Sequence, residues 1–155
     1  LSDGRVFEHP LVIWAAGVTM PAFVQEMSFD KDKQGRLVVD EALQFHPGCF
    51  AVGDVASFPH KGRPLRMAVM FSVAEATVAA KNILRLTSGN RDLKPFRPLD
   101  LGYIVPLAHK KSCGRVFFGR IWGIVGWLGH YLMCVGRAPG WRMRLNILRS
   151  VVWPR

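Results

Sequence analysis

The sequence predicts an α/β fold, and three observations support this expectation. Short apolar runs bounded by turn residues recur in the first half of the chain and predict strands. Residues 65–86 contain neither Gly nor Pro and are rich in Ala, Met and Leu, which predicts a helix. The apolar run over 49–52 ends at Gly53 and Asp54. Ligands of open α/β sheets bind where strands end, so we expect a ligand at this pair.

Turn residues divide the first hundred residues into short elements. In chain order, the pattern predicts strands over 5–8 and 11–15, a short helical or irregular segment over 22–27, a solvated turn over 30–35, strands over 37–39 and 49–52, and a loop over 57–64. The turn His46–Gly48 leads into the strand over 49–52, which we expect to be buried. Cys49 within it is expected to be a small core residue.

The predicted helix over 65–86 is followed by turn-forming residues, which mark its end. Its apolar positions recur at helical spacing: Val69, Val73, Ala76, Ala80, Ile83 and Leu84. Glu75 is the only carboxylate in this segment.

Gly53 and Asp54 are the first candidate ligand-binding residues. Glycine lets a ligand approach the backbone closely. A carboxylate accepts hydrogen bonds from ligand hydroxyls strongly because the acceptor is charged. Taken alone, the pair favours an ordinary Gly–Asp turn, and the surrounding segments reverse that preference.

Three segments in order resemble a known family. Phe50 to Asp54 resembles the second flavin-binding motif of flavoproteins with two dinucleotide-binding domains. Leu11 to Gly17 resembles the strand and small-residue turn by which those proteins leave the NAD(P)H domain and re-enter the FAD domain. Gly35 to Asp40 matches the segment that precedes the Gly–Asp motif. The overall resemblance is to the C-terminal part of type II NADH dehydrogenases, strong over residues 1–90 and looser beyond them.

The resemblance implies two cofactors, FAD and NAD(P)H, and a set of residues that hold FAD. In the family the aspartate of the motif holds the ribityl chain, which assigns that role to Asp54, with Gly53 allowing close approach. The remaining cofactor-binding residues expected are the crossover residues Ala15, Ala16 and Gly17, and the helix start at Ala68, Val69 and Met70. We predict no metal site. We name no general base, because hydride transfer itself does not require one.

One departure from the family concerns the electron acceptor. Alignment of the helix end places Met70 and Ala74 where type II dehydrogenases typically carry glutamines that face the quinone. A thioether and a methyl group replace two hydrogen-bonding amides, so ubiquinone is a doubtful acceptor. Met70 is also a typical gap-filling core residue.

The expected organisation is the end of an NAD(P)H domain with the crossover over 1–17, the C-terminal part of an FAD domain over 18–98, and a basic, aromatic membrane-association region over 99–155. The sequence contains no Gly-x-Gly-x-x-Gly phosphate-binding motif, of which such a flavoprotein needs two. We therefore expect the chain to be a C-terminal piece of a longer enzyme.

Charge is distributed unevenly along the chain. Residues 1–100 contain 12 Lys and Arg against 11 Asp and Glu, whereas residues 101–155 contain 9 Lys and Arg and no carboxylate side chain. The composition changes near Asp100, after the linker-like segment over 94–98. In the last third we expect strands over 99–105 and 115–118, separated by a turn over 110–114, with His109 in a solvated loop.

Two apolar segments follow. The run over 121–135 has 15 residues, fewer than the roughly 20 needed to span a bilayer. On a helix, the segment 141–153 places Trp141, Leu145, Leu148 and Val152 on one stripe, with Arg142 and Arg149 on another part of the surface. This composition is typical of an interfacial, monotopic membrane anchor.

Other uses of these segments stay open. The first could be a buried helix or a dimer contact, since Gly123, Gly126 and Gly129 permit close packing. The basic tail could bind phosphates of nucleic acid, but no nucleic-acid-binding fold accompanies it and we predict no such partner. The three cysteines have no C-x-x-C spacing, which excludes the usual local zinc or redox pair.

The resemblance implies an NAD(P)H dehydrogenase that passes electrons through FAD to a quinone or another lipophilic acceptor. It also implies a peripheral position on the cytoplasmic side of a membrane. The alternatives are a sulfide:quinone-type or soluble flavin reductase on the same scaffold, or a non-catalytic membrane- or partner-binding module with a degenerate flavin fold.

Overall fold

A computed structural model describes residues 3–6, 8, 11–13, 15–117 and 119–152. Contacts divide the chain into an N-terminal unit, Leu1–Pro98, and a C-terminal unit, Leu99–Arg155. The division falls beside Asp100, where the acidic residues end.

The N-terminal unit is a mixed α/β fold, as the sequence predicts. Its elements are α1 (Ala22–Glu26), β1 (Leu37–Val38), β2 (Gln44–His46), β3 (Cys49–Phe50), β4 (Ala56–Ser57), β5 (Pro59–His60), β6 (Arg63–Pro64) and α2 (Val69–Thr87). β1 pairs in parallel with β4, while β2–β3 and β5–β6 are antiparallel hairpins. The expected loop over 57–64 therefore contains a small hairpin.

One hydrophobic core holds this unit together. Its buried members come from α1, β1, β4 and α2 and from the segments outside these elements: Met20, Val24, Leu37, Val39, Leu43, Ala51, Ala56, Phe58, Leu65, Phe71, Ala79 and Phe96. The rings of Phe58 and Phe96 meet edge to face with centroids 5.1 Å apart. Packing of apolar side chains fixes strands of only two or three residues, which are too short to be stable alone.

The buried face of α2 differs from the expected one. The helix buries Phe71, Glu75, Ala79 and Asn82. The expected apolar positions Val69, Val73, Ile83 and Leu84 are between 45% and 69% exposed, and Ala76 and Ala80 are also exposed. The expectation was wrong because buried Glu75 and Asn82 form hydrogen bonds with loops, so polar positions lie on the inner face.

The helix also begins later than predicted. Leu65 is buried, and its N–H donates to the Phe58 carbonyl at 2.8 Å. Ala68 is still extended, with φ −163°. Pairing with the preceding segment thus keeps residues 65–68 out of the helix despite their high helical propensity.

Two strand predictions at the beginning of the chain were wrong. The described residues of the segments 5–8 and 11–15 form no strand, and Leu11, Val12 and Ile13 are at least 72% exposed. A strand needs a partner for its backbone groups, and no other described segment pairs with these residues. Phe7, His9, Pro10 and Trp14 lie outside the described residues.

Cys49 is exposed rather than buried. It is the first residue of β3, directly after the Pro47–Gly48 turn and opposite His46 in the hairpin. Of the expected strand over 49–52, only Cys49–Phe50 pairs as a strand, and Ala51 is the member that is buried.

The C-terminal unit is a three-stranded antiparallel sheet with two helices. Its elements are β7 (Gly102–Leu107), β8 (Lys111–Val116), β9 (Gly119–Trp122), α3 (Gly123–Arg137) and α4 (Trp141–Val152). The strand order is β7-β8-β9, and α3 packs on the sheet and on α4. The hydroxyl of buried Ser112 donates to the Gly123 carbonyl at 2.8 Å and joins β8 to the start of α3.

The turn expected over 110–114 was misplaced. The hairpin turns at residues 108–110, and His109 and Lys110 adopt φ values of 58° and 56°. Gly114 lies within β8, where a side chain would overlap the Tyr103 carbonyl of β7. The first two residues of the segment over 121–135 belong to β9, and α3 begins directly after them. Phe118 and Trp153, which belong to expected elements, lie outside the described residues.

Candidate functional site

The candidate site begins at a sharp turn after β3. Val52 is extended, with φ −142°, and Gly53 then adopts φ +74°. Gly53–Val55 form one 3-10 turn before β4. Glycine is required here, because a side chain would be strained by the positive φ and would lie 3.2 Å from the Ser72 hydroxyl oxygen. The turn therefore passes close to the surface of α2.

Asp54 is exposed at this turn. Within the described part of the chain, its side chain has no hydrogen-bond partner. An exposed carboxylate held on a rigid turn can accept hydrogen bonds from a ligand bearing hydroxyl groups without first losing an internal bond.

The N-terminus of α2 lies beside the turn. Ala68 precedes the helix and supplies no side-chain cap, and the first turn contains no acidic residue. The first N–H groups of such a helix carry partial positive charge. Gly53, Asp54 and Ala68 line one small depression together with Ser72 and Glu75.

The other expected residues are placed differently. Met70 is half-buried, and its sulfur lies 3.9 Å from an Arg66 guanidinium nitrogen. Val69 is exposed; both belong to the first turn of α2 without lining the depression. Ala74, at the other expected glutamine position, is exposed.

The crossover residues are not brought to this depression. Ala15, Ala16 and Gly17 are exposed and do not line it. Gly17 adopts φ +81°, and a side chain there would meet open space. Their assignment to the cofactor site stays a prediction from the resemblance.

Glu75 is the principal residue that sequence reasoning missed. It is 3% exposed, and its Oε2 accepts a hydrogen bond from the Gly53 N–H at 2.6 Å. Burial raises the pKa of this carboxyl, and the nearby Asp54 charge raises it further, while the Gly53 hydrogen bond and the Arg36 charge act in the opposite direction. The available signal was that Glu75 is the only carboxylate in its helix.

Arg36 was also missed. It is 4% exposed, pairs with Asp32 at 2.8 Å and donates to the Leu65 carbonyl at 3.1 Å. Arg36 thereby ties the segment before β1 to the segment before α2, and it lines the same depression.

A second feature of interest is the exposed apolar surface of the C-terminal helices. In α4, Trp141 is 67% exposed, and Leu145 and Leu148 are 40% and 45% exposed. Arg142 and Arg149 are exposed on the same helix. The side chain of Val152, the fourth member of the expected stripe, lies outside what the structure describes. Over the described ranges, no helix has both the length and the apolarity needed to cross a membrane.

Comparison with known proteins identifies the family. Residues 1–82 match the family model of pyridine nucleotide-disulphide oxidoreductases. The chain is 27% identical over 141 residues to a probable NADH dehydrogenase of Dictyostelium discoideum, covering 88% of this chain and 31% of that protein. It is 32% identical over 120 residues to a type II NADH:quinone oxidoreductase of Haemophilus influenzae, covering 74% of this chain and 26% of that one.

The chain thus spans less than a third of the length of either relative. The family match covers more than half of the chain and includes the turn at Gly53 and most of α2. The chain therefore belongs to the pyridine nucleotide-disulphide oxidoreductase family, and within it is similar to type II NADH dehydrogenases.

Proposed function

We propose that this chain is part of a longer flavoenzyme that carries electrons from NAD(P)H through FAD to a quinone or another lipophilic acceptor. The coverage of the two relatives, 31% and 26% of their lengths, supports a longer protein. The observation that carries the proposal is the exposed Asp54 carboxylate on its glycine turn beside the uncapped start of α2.

These residues fit the flavin cofactor. Asp54 would accept hydrogen bonds from the ribityl hydroxyls, and Gly53 would let the cofactor approach the backbone. The N–H groups that begin α2 would stabilise negative charge on the cofactor. When bound, FAD supplies the redox chemistry by taking a hydride from NAD(P)H and passing electrons onward.

A lipophilic acceptor is supported by the outer face of α2. Val69 and Val73 are 65% and 55% exposed and stand one turn apart. Apolar surface of this kind suits a quinone ring or tail. Met70 and Ala74 offer no amide donor, so we expect recognition by apolar contact rather than by hydrogen bonds.

We further propose that the enzyme associates peripherally with a membrane, on its cytoplasmic side, through the C-terminal unit. Exposed Trp and Leu side chains on α4, together with 9 Lys and Arg and no carboxylate side chain over residues 101–155, support this. Contact between two copies of the chain would use the same apolar surface. Sedimentation of the protein without vesicles distinguishes such self-association from membrane binding.

An anaerobic visible spectrum of the full-length protein tests the electron path. Flavin bands that bleach with NADH and return with a menaquinone analogue are expected. Bleaching without reoxidation would support the proposed reductase activity and contradict a quinone as the electron acceptor. A folded full-length protein without flavin would refute the enzyme and favour the non-catalytic binding module.

Asp54→Asn tests the site itself. The variant should retain less FAD than the wild type after gel filtration, because a neutral amide is a weaker acceptor for the ribityl hydroxyls than a carboxylate. Asp30→Asn, which also alters an exposed carboxylate of the N-terminal unit, is the matched control and should retain FAD fully.

A further inference from the structure

Glu75 connects α2 to the turn that presents Asp54. Its Oε2 accepts the Gly53 N–H at 2.6 Å, across 22 residues of sequence. This distance is short for an N–H···O hydrogen bond, and a charged acceptor shortens such bonds. The bond fixes the backbone at Gly53, the residue immediately before Asp54.

Burial of this carboxylate needs a reason, because an apolar residue would occupy the inner face of α2 at lower cost. Three polar neighbours account for its environment: the Gly53 N–H, the Arg36 guanidinium and the Asp54 carboxylate. The first two favour the ionised form, and the third opposes it. Glu75 therefore contributes a directional bond to one particular loop.

Asn82 provides an internal comparison on the same helix. It is completely buried, and its amide contacts the carbonyls of Ala42 and Lys94 and the N–H of Lys94. Asn82 thus holds loops against the other end of α2 by hydrogen bonds. Both buried polar residues bind loop backbone in this way, but of the two only Glu75 contacts the candidate cofactor turn.

We propose that Glu75 is a positioning residue for FAD, because its hydrogen bond from Gly53 sets the orientation in which Asp54 meets the ribityl hydroxyls. The inference rests on the proposed function, since it requires FAD at this turn. Without the acceptor, the Gly53 N–H loses its partner and the turn can present Asp54 in several orientations. The free energy needed to order that turn then weakens FAD binding.

The test compares three variants of the full-length protein. Glu75→Leu removes the acceptor, Glu75→Gln keeps an oxygen acceptor at the same length, and Asn82→Leu removes the buried amide at the other end of α2. FAD is titrated into the apoprotein, and the visible spectrum and circular dichroism of the bound flavin are recorded. Thermal unfolding of each apoprotein separates folding from binding.

Glu75→Leu should raise the dissociation constant of FAD about tenfold and change the circular dichroism of the bound flavin, since one strong hydrogen bond is lost. Glu75→Gln should restore the constant to within about threefold of the wild type, because the neutral acceptor retains most of the bond. Asn82→Leu should lower the melting temperature and leave the dissociation constant unchanged.

Wild-type affinity and flavin spectrum in folded Glu75→Leu would overturn the inference, as would an equal loss of affinity in Asn82→Leu. If Glu75→Leu does not fold, Glu75→Asp replaces it, because its shorter side chain cannot reach the Gly53 N–H. Wild-type affinity of Glu75→Asp for FAD would overturn the inference as well. A wild-type protein that binds no FAD would instead refute the proposed function.

Discussion

At the scale of single residues, Glu75 makes stability depend on pH. Its folded-state pKa is raised above the ordinary value of 4.5, chiefly by burial. The folded state therefore binds the proton more tightly than the unfolded state, and this contribution to stability is lost as pH rises from 4.5 through the folded pKa. We predict that Glu75→Gln gains stability relative to the wild type over that interval, as measured by urea titration at successive pH values. A constant difference at every pH would contradict the prediction.

Asp32 acts with the opposite sign. Burial opposes ionisation of its carboxyl, but hydrogen bonds from Arg36, Ser57 and Gln34, together with the Arg36 charge, lower its pKa below 3.8 overall. Its stabilisation is present above 3.8 and is lost as pH falls through the folded pKa.

We predict that Asp32→Asn lowers the free energy of unfolding by roughly 1–3 kcal/mol at pH 7, because buried Arg36 loses its charged partner. The difference from the wild type should disappear in strong acid. Asp92→Asn, whose exposed carboxylate lies 3.9 Å from Arg85, is the control and should change stability little.

The sequence predicted the exposed half of the candidate site and missed the buried half. Gly53 and Asp54 follow an apolar run, and this pattern, together with the neighbouring segments that resemble the flavoprotein family, made them candidates. The contact between Glu75 and Gly53 joins positions 22 residues apart, and no local pattern encodes such a distance. A lone carboxylate in an otherwise carboxylate-free helix is the signal that could have directed attention to it.

At the scale of elements, α3 depends on the absence of one side chain. Gly126 is buried, and a Cβ there would overlap the Ser112 hydroxyl and approach Ile121 to 3.3 Å. Moving Ser112 away would break its hydrogen bond to Gly123. We predict that Gly126→Ala lowers the free energy of unfolding by about 1–3 kcal/mol.

Gly136 lies in the same helix, and a Cβ added there would meet no atom within 4 Å among the described residues, so Gly136→Ala is the matched control. That variant should raise the free energy of unfolding by about 0.5–1 kcal/mol, because Ala loses less backbone entropy in a helix. Equal effects of the two substitutions in thermal unfolding would show that Gly126 makes no special contact.

The arginines of α4 should govern vesicle binding. Each cation near an anionic membrane contributes about 1 kcal/mol, and Arg142 and Arg149 are both exposed. We predict that replacing both with Gln weakens binding of the full-length protein to anionic vesicles by roughly tenfold or more. Binding to neutral vesicles should change little, and unchanged binding to anionic vesicles would contradict the prediction.

Element types were more predictable than element partners. The short helix near residue 22 and the long helix follow from composition and periodicity. In the last third, strands were expected over 99–105 and 115–118, but the sheet has three strands, and β9 was not predicted. The face that α2 buries does not, because Glu75 and Asn82 are drawn inward by loops distant in sequence. The hairpin turn at residues 108–110 was missed because His109 and Lys110 adopt a conformation that usually favours Gly or Asn.

At the scale of the whole molecule, the two units should separate functionally. The boundary after Pro98 lies two residues before Asp100, the last acidic residue of the chain, and every residue of the candidate FAD site precedes it. We predict that the full-length protein truncated after Pro98 retains FAD and is reduced by NADH but no longer sediments with anionic vesicles. Retained vesicle binding would place the membrane contact elsewhere.

The absence of carboxylate side chains over residues 101–155 has one more consequence. This range contains 9 Lys and Arg and no Asp or Glu, so no acidic side chain within it offsets the positive charge. Dissolved ions are what screen this charge, over about 8 Å at physiological ionic strength. Its attraction to anionic surfaces should therefore weaken steadily as salt is added.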